Sequence, residues 1–266
     1  IKKYFPGVES IGFQHSVLYP LQTCLYPASQ EWKDMPLPDR IVCSGKFFLD
    51  IYIKHGAPRD QLVLGPALRF RNLISNSEKN REDFFSPVFK ENKILIVFPL
   101  AESDALELAI KSSEAIKLLA DIGELKIGLK LHPMMSVSKL KIIGSFFNNI
   151  QCDLEIIDRS MDEILPQYSL LITMASGVIF DGMIKGLPVI RVGRSNSLNF
   201  DPADFIINKS YVFKAQTAEQ LNKLICKLII LDDEERLRIL DYGKQFVKES
   251  FTPVNEDTLQ PFISVN

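Results

Sequence analysis

The amino-acid sequence predicts an α/β fold built on a parallel sheet, and three observations support that fold class. From about residue 90, short apolar runs alternate with amphipathic stretches, which is typical of βαβ units. The alternating run at 125–131 ends at His132-Pro133, and proline has no amide hydrogen to continue a strand ladder. Residues 1–75 contain too few strand signals for a complete domain. We therefore expect one full α/β domain and part of a second.

The individual elements follow from local signals along the chain. Five strands are expected after residue 90, at 93–100, 125–131, 154–157, 170–173 and 188–192. The expected helices run from Ser103 to Gly123, over 137–148, from a capping box at Ser160 and Glu163, and through 177–186 to Gly186. Thr217 and Gln220 predict the start of another helix, and the acidic beginning of 232–250 predicts a last one. This strict alternation predicts a Rossmann-like domain.

The first 75 residues are expected to form a smaller fragment. The stretch 9–16 reads as a strand and loop, 45–56 as a helix ending at Gly56, and 61–66 as a short strand. A polar run at 76–86 predicts a linker over 76–90, followed by a nucleotide-binding domain at 91–250 and a tail at 251–266. The chain begins with Ile1 instead of methionine, so we expect a part of a longer protein.

The composition is that of an ordinary globular chain. Its 266 residues are 46% apolar and 24% charged, and the net charge of −2 gives no reason to expect a nucleic-acid partner. The four cysteines form no C-x-x-C pair, and with three scattered histidines they predict reduced thiols, no metal site and no cofactor. No apolar run reaches the roughly 18 residues that cross a bilayer, which predicts a soluble, cytoplasmic protein.

Two turns after predicted strands carry residues suited to binding an anion. His132 stands at a strand end, where open α/β sheets bind ligands, although a loop histidine that caps a carbonyl is equally compatible with this position. In 170–182, Ser176 is a candidate helix N-cap, and Gly177 allows a phosphate to approach the first helical amides. An ordinary capped turn has the same pattern, and Asp181 suits either a solvated helix face or a ribose hydroxyl.

Further candidates lie at other strand ends. His15 follows an apolar strand and is either a loop histidine or a general base for a hydroxyl nucleophile. Glu102 and Ser103 are expected in the turn after the strand at 93–100, where they would face the cleft or simply begin a helix whose N-terminus favours an acid. Arg191 and Arg194 flank the end of the fifth strand, where they are either ordinary surface arginines or would help to neutralise a diphosphate or an acidic sugar. No Asp-x-Asp pair follows a strand, so a metal-dependent diphosphate site is not indicated.

Taken together, these stretches resemble the GT-B glycosyltransferase architecture, in which two Rossmann-like domains face each other across a cleft. Residues 39–70 look like the end of its N-terminal, acceptor-binding domain, which makes 1–75 the C-terminal part of that domain. The sequence KLHP at 130–133, followed by 170–190, resembles enzymes with cytidine-activated donors. These include sialyltransferases, Kdo-type and capsule transferases, and CDP-glycerol glycerophosphotransferases.

The resemblance implies a role for each candidate. His132, with Pro133, would contact the donor phosphate and stabilise the leaving nucleotide as a catalytic residue. Ser176 with the Gly177 amide would be another phosphate contact, and Asp181 would hold the ribose or orient the site. Gln14-His15 resembles the Gln-His-Gly or Trp-His-Gly loop of the N-terminal domain, which makes His15 the base for the acceptor hydroxyl.

Two departures from the family pattern bear on the donor. Ser16 replaces the usual glycine after the histidine, and Met174 to Gly177 replace an Asp-Tyr-Ser-Ser run of the glycerophosphotransferases. These departures favour a sugar donor over glycerophosphate.

The expected function is therefore a metal-independent glycosyltransferase of surface polysaccharide synthesis, such as capsule or lipopolysaccharide. It would move a sugar from a cytidine nucleotide, the class that includes CMP-activated sugars, to a glycan or lipid-linked glycan. A CDP-polyol phosphotransferase, a UDP-sugar enzyme including the epimerases of this fold, and a non-catalytic GT-B-derived scaffold are the alternatives. Peripheral association with the inner membrane is left open.

Overall fold

The computed structural model describes residues 4, 7–18, 27–78, 92–119, 125–174, 176–195, 204 and 211–263. The chain divides into two units, Ile1–Lys79 with Lys244–Asn266, and Asn80–Gly243. The expected tail at 251–266 thus belongs to the first unit. Of the expected linker at 76–90, the beginning is the end of a helix that reaches Ser77, and 79–90 lies outside the described residues.

The first unit contains a parallel three-stranded sheet in the order β1-β2-β3. The strands are β1 Ile11–Gln14, β2 Arg40–Cys43 and β3 Leu62–Leu64, and the helices are α1 Lys46–Lys54, α2 Arg71–Ser77 and α9 Glu256–Leu259. Short 3-10 turns cover Glu31–Lys33, Arg59–Gln61, Leu68–Phe70 and Gln260–Phe262. The sequence-based analysis had not marked β2 or α2.

Aromatic packing explains why the C-terminal segment joins this unit. Phe251 is buried, and its ring lies 4.5 Å from that of Phe70 and 5.5 Å from that of Phe48, between centroids. The Thr252 amide also donates to the Ser44 carbonyl at 3.1 Å. Burial of these large rings stabilises the association by the hydrophobic effect.

The second unit contains a six-stranded parallel sheet in the order β6-β5-β4-β7-β8-β9. The strands are β4 Lys93–Val97, β5 Lys126–Lys130, β6 Asp153–Ile157, β7 Leu170–Thr173, β8 Val189–Val192 and β9 Val212–Ala215. The helices are α3 Glu102–Lys117, α4 Val137–Ser145, α5 Met161–Ile164, α6 Val178–Met183, α7 Ala218–Leu228 and α8 Asp233–Ser250, and a 3-10 turn covers Leu165–Gln167. Helix α8 begins in this unit and ends in the first.

The core of this unit lies on both faces of its sheet. Every residue of β7 and β8 is buried, as expected for central parallel strands that are covered by helices on each side. All five strands predicted in this region are confirmed. The sixth strand, β9, had not been predicted, because it has only four residues and one of them is a lysine, Lys214.

The helix-end predictions have mixed outcomes. Thr217 caps α7, since its hydroxyl accepts from the Gln220 amide at 3.3 Å, and Gly186 ends the α6 region with a φ of 68°. The capping box predicted at Ser160 is wrong, because the Ser160 side chain makes no cap hydrogen bond. The long helix α3 begins at Glu102 and ends at Lys117, six residues before the predicted end at Gly123.

Three negative observations concern the described part of the chain. No helix there is long and apolar enough to cross a membrane. No group of histidine, cysteine or carboxylate side chains in these residues is placed to hold a metal ion. The described cysteines, Cys43, Cys152 and Cys226, are free thiols.

Candidate functional site

The order of the strands locates a ligand site in the second unit. The chain enters the sheet at β4, adds β5 and β6 on one side, and then crosses to add β7, β8 and β9 on the other. The direction of winding therefore reverses between β4 and β7. In doubly wound sheets, ligands bind outside the carboxyl ends of the strands at such a switch point. The loops after β5, β4, β7 and β8 are adjacent at this edge.

Hydrogen bonds hold the strand ends at the switch point together. The Thr173 hydroxyl at the end of β7 donates to the Val97 carbonyl of β4 at 3.0 Å. The Phe98 amide, directly after β4, donates to the Lys130 carbonyl of β5 at 2.9 Å. The carboxyl ends of β5, β4 and β7 are thus held in a fixed row.

His132 lies in the loop after β5 and is half-buried, while Pro133 is exposed. The Nδ1 atom of His132 accepts from the Met134 amide at 3.3 Å, and its carbonyl accepts from the Met135 amide at 2.8 Å. Because Nδ1 acts as the acceptor, the neutral ring carries its proton on Nε2. This geometry makes Nε2 a hydrogen-bond donor suited to an anionic oxygen.

Ser176 and Gly177 lie in the loop after β7, on the other side of β4, and both are half-buried. The helix N-cap is Gly177 and not Ser176, which corrects the predicted cap by one residue. The Ser176 hydroxyl still faces the helix start, where it accepts from the Val178 amide at 3.4 Å. Asp181 is half-buried within α6.

Glu102 and Ser103 form the exposed first turn of α3, after β4. The Glu102 carboxylate pairs with the Lys139 ammonium of α4 at 2.7 Å. This ion pair connects the helices that follow β4 and β5, and it gives Glu102 a local structural role at the predicted donor site.

The two arginines at the end of β8 pair with carboxylates. Arg191 is 4% exposed, and its guanidinium lies 3.8 Å from Asp204, which also pairs with Lys214 of β9. Arg194 pairs with Asp104 of α3. A diphosphate would therefore compete with these carboxylates, which makes the predicted neutralising role less direct than the sequence indicated.

A charged face of α3 that the sequence analysis did not mark holds the loop after β8. Lys111 is 8% exposed. Its ammonium donates to the Gly193 carbonyl at 2.6 Å and pairs with the Glu107 carboxylate at 2.8 Å. The Glu107 carboxylate in turn accepts from the Ser195 amide at 2.7 Å. Burial raises the pKa of Glu107, but the hydrogen bonds from Lys111 and Ser195 outweigh it, and the pKa is lowered.

Among the predicted site residues, only His15 belongs to the first unit. It follows β1 and its side chain is exposed, with its ring 6.4 Å from that of Phe13. The other candidates gather at the carboxyl edge of the second unit, on neighbouring loops.

Comparison with solved structures gives clear similarity in fold. The chain superposes on Anabaena HepE in complex with UDP and glucose with a TM-score of 0.58 and 13% identity, covering 98% of this chain and 72% of that one. The fold class is GT-B-like. A S. aureus MnaA structure with UDP gives a TM-score of 0.58 at 11% identity and covers 99% of this chain and 72% of that one.

A S. aureus TarM mutant, in complex with fondaparinux, alpha-GlcNAc-glycerol and UDP, gives a TM-score of 0.57 at 12% identity. This similarity covers 96% of this chain and 50% of TarM. No family model and no curated protein sequence matches the chain. At these identities the similarity establishes the fold, and the predicted GT-B-like class is confirmed.

Proposed function

We propose that the protein is a glycosyltransferase that binds a nucleotide-sugar donor at the carboxyl edge of the second unit and transfers the sugar to a glycan hydroxyl. The position of His132 and Ser176 carries this proposal. These residues lie on the loops after β5 and β7, which flank β4 at the switch point of the sheet. The solved neighbours with bound UDP support a nucleotide as the ligand.

The chemistry assigned to these side chains is stabilisation of the leaving group. When the bond between the anomeric carbon and the donor phosphate breaks, negative charge develops on the departing nucleotide. The Nε2 proton of His132 and the backbone amides near Ser176 and Gly177 would stabilise that charge without a metal ion. Asp181 would bind the ribose, and Glu102 and Ser103 would line the entrance.

The acceptor side of the reaction is assigned to His15. A new bond forms between the acceptor oxygen and the anomeric carbon while the hydroxyl proton passes to the imidazole. The exposed ring of His15 is accessible to such an acceptor. A glycan or lipid-linked glycan of bacterial surface polysaccharide is the acceptor class that the sequence resemblance favours.

We expect a uridine nucleotide as the donor carrier, because UDP occupies HepE, MnaA and TarM in their solved complexes. The cytidine donor expected from the sequence has no counterpart among these complexes and remains the competing prediction. The alternative of a CDP-polyol phosphotransferase requires that cytidine carrier and would be excluded together with it.

Calorimetry with UMP, UDP, CMP, CDP and GDP separates these alternatives. UDP at about 100 times its dissociation constant should stabilise the fold by about 2.7 kcal/mol, which raises the melting temperature by several degrees. His132→Ala should weaken UDP binding roughly ten- to hundred-fold, the value of one hydrogen bond to a charged group. His55→Ala, in helix-capping position in the first unit, is the matched control and should leave binding unchanged.

Each outcome of this panel has one meaning. Cytidine-selective binding would restore the cytidine donor, and binding that His132→Ala leaves intact would remove His132 from the site. If no nucleotide binds to a folded protein, the glycosyltransferase proposal fails and the scaffold reading replaces it.

A further inference from the structure

A buried glutamine directly precedes His15. Gln14 is 6% exposed and ends β1, and Ser44 is 1% exposed and follows β2, the neighbouring strand. Glutamine is seldom buried, and a buried carboxamide is stable only when its hydrogen bonds are made. The partners of this side chain therefore indicate what it is for.

The carboxamide of Gln14 joins two backbone segments. Its Oε1 accepts from the Ser44 amide at 3.1 Å and lies 2.6 Å from the Ser44 hydroxyl, which also lies 2.8 Å from the Gln14 carbonyl oxygen. Its Nε2 donates to the carbonyl of Ser16. An amide side chain supplies both an acceptor for one segment and a donor for the other.

These bonds close a ring around His15. The side chain of Gln14 reaches past His15 to Ser16, so both peptide groups of His15 lie between two fixed points. The far end is also held, because Arg69 donates to the Ser16 hydroxyl at 3.4 Å. The near end is anchored through Ser44, whose carbonyl accepts from the Thr252 amide at 3.1 Å.

We propose that Gln14 is a positioning residue, which fixes the backbone of the loop at 15–16 so that the exposed imidazole of His15 keeps one direction. Its meaning for catalysis rests on the proposed function, in which His15 receives the acceptor proton. The hydrogen bond from Nε2 to Ser16 is the component that does the positioning, whereas the bonds to Ser44 anchor the side chain.

Three variants separate positioning from stability. Gln14→Glu keeps the shape and an acceptor for Ser44, and in its ionised form it has no donor for the Ser16 carbonyl. Gln14→Met keeps the volume and removes every hydrogen bond of the side chain, and it serves if the glutamate variant does not fold. Ser44→Ala removes the hydroxyl and leaves the contacts of Gln14 to the Ser44 amide and to Ser16, so it is the matched control.

The primary readout is the backbone order parameter of His15 and Ser16 from 15N relaxation. We expect about 0.85 in the native protein and in Ser44→Ala, and less than about 0.6 in either Gln14 variant. With UDP-glucose as the probe donor and water as the acceptor of the glucosyl group, kcat for UDP release should fall at least ten-fold in the Gln14 variants while the donor KM stays within two-fold.

The outcomes distinguish the positioning role of Gln14 from the proposed base role of His15. Rigid His15 and Ser16 amides in a folded Gln14 variant would overturn the positioning role. If His15→Ala leaves UDP release unchanged, the proposed base role of His15 fails. Loss of backbone order in the Gln14 variants would still support the positioning role of Gln14.

Discussion

Replacement of Lys111 by methionine should loosen the loop at 193–195 and destabilise the second unit by about 3 kcal/mol. The substitution keeps most of the side-chain volume but removes the donor to the Gly193 carbonyl at 2.6 Å and the partner of Glu107 at 2.8 Å. A hydrogen bond to a charged group contributes about 1.5–3 kcal/mol, and the substitution also takes the ammonium away from the Gly193 carbonyl and from the Glu107 carboxylate. Glu107 keeps the Ser195 amide, which limits the loss.

The measurement is urea and thermal unfolding of the wild type, Lys111→Met, Glu107→Gln and the double variant. A loss of about 3 kcal/mol corresponds to a fall in melting temperature of roughly 6–12 °C in a domain of this size. The double-mutant cycle should give a coupling of at least about 1 kcal/mol, because the two side chains touch. A loss below about 1 kcal/mol with no coupling would refute the idea that this ion pair holds the loop.

Three further predictions concern pH dependence, glycine packing and a buried tyrosine. The pKa of Glu107 is lowered in the folded state, so its contribution to stability is present above the unfolded pKa and is lost as the pH falls through the folded pKa. Glu107→Gln should therefore make the free energy of unfolding fall less steeply at acid pH. Gly45→Ala should lower the free energy of unfolding by at least about 2 kcal/mol, because a Cβ would lie 1.8 Å from the Ser250 carbonyl oxygen. Gly144→Ala, whose Cβ would enter open space in α4, should raise it by about 0.5–1 kcal/mol, and thermal unfolding measures both changes. Burial, followed by the charge of Glu155, raises the pKa of Tyr168 to about 12. Tyr168→Phe should therefore remove the step at the highest pH from the phenolate absorbance titration. Loss of a step at the usual tyrosine pKa would contradict this prediction.

Much of the second unit could be predicted from the sequence because its elements depend on local patterns. The run ending at His132-Pro133 predicted the end of β5, and the apolar stretch at 170–173 predicted the buried strand β7. The cap at Thr217 depends on residues only three positions apart. Ser160 and Glu163 have the same spacing, but the capping hydrogen bond does not form, so the pattern permits a cap without requiring one.

The features that escaped prediction depend on contacts between distant parts of the chain. Lys111 and Gly193 are far apart in sequence, and no local pattern indicates that the charged face of α3 meets the loop after β8. The same holds for the segment after Phe251, which packs with aromatic rings of the first unit. Arg191 was predicted from its position at a strand end, but its side chain is buried beside Asp204.

The most direct test of the central claim is to map UDP binding by the amide chemical shifts of 15N-labelled protein. A donor site at the switch point predicts that shifts concentrate in the loops after β4, β5 and β7, at Glu102, His132 and Gly177. Residues at the opposite edge of the sheet, such as Lys126 and Tyr168, should remain unchanged. Saturable shifts confined to that opposite edge, or no saturable shift in the second unit, would contradict a donor site at the switch point.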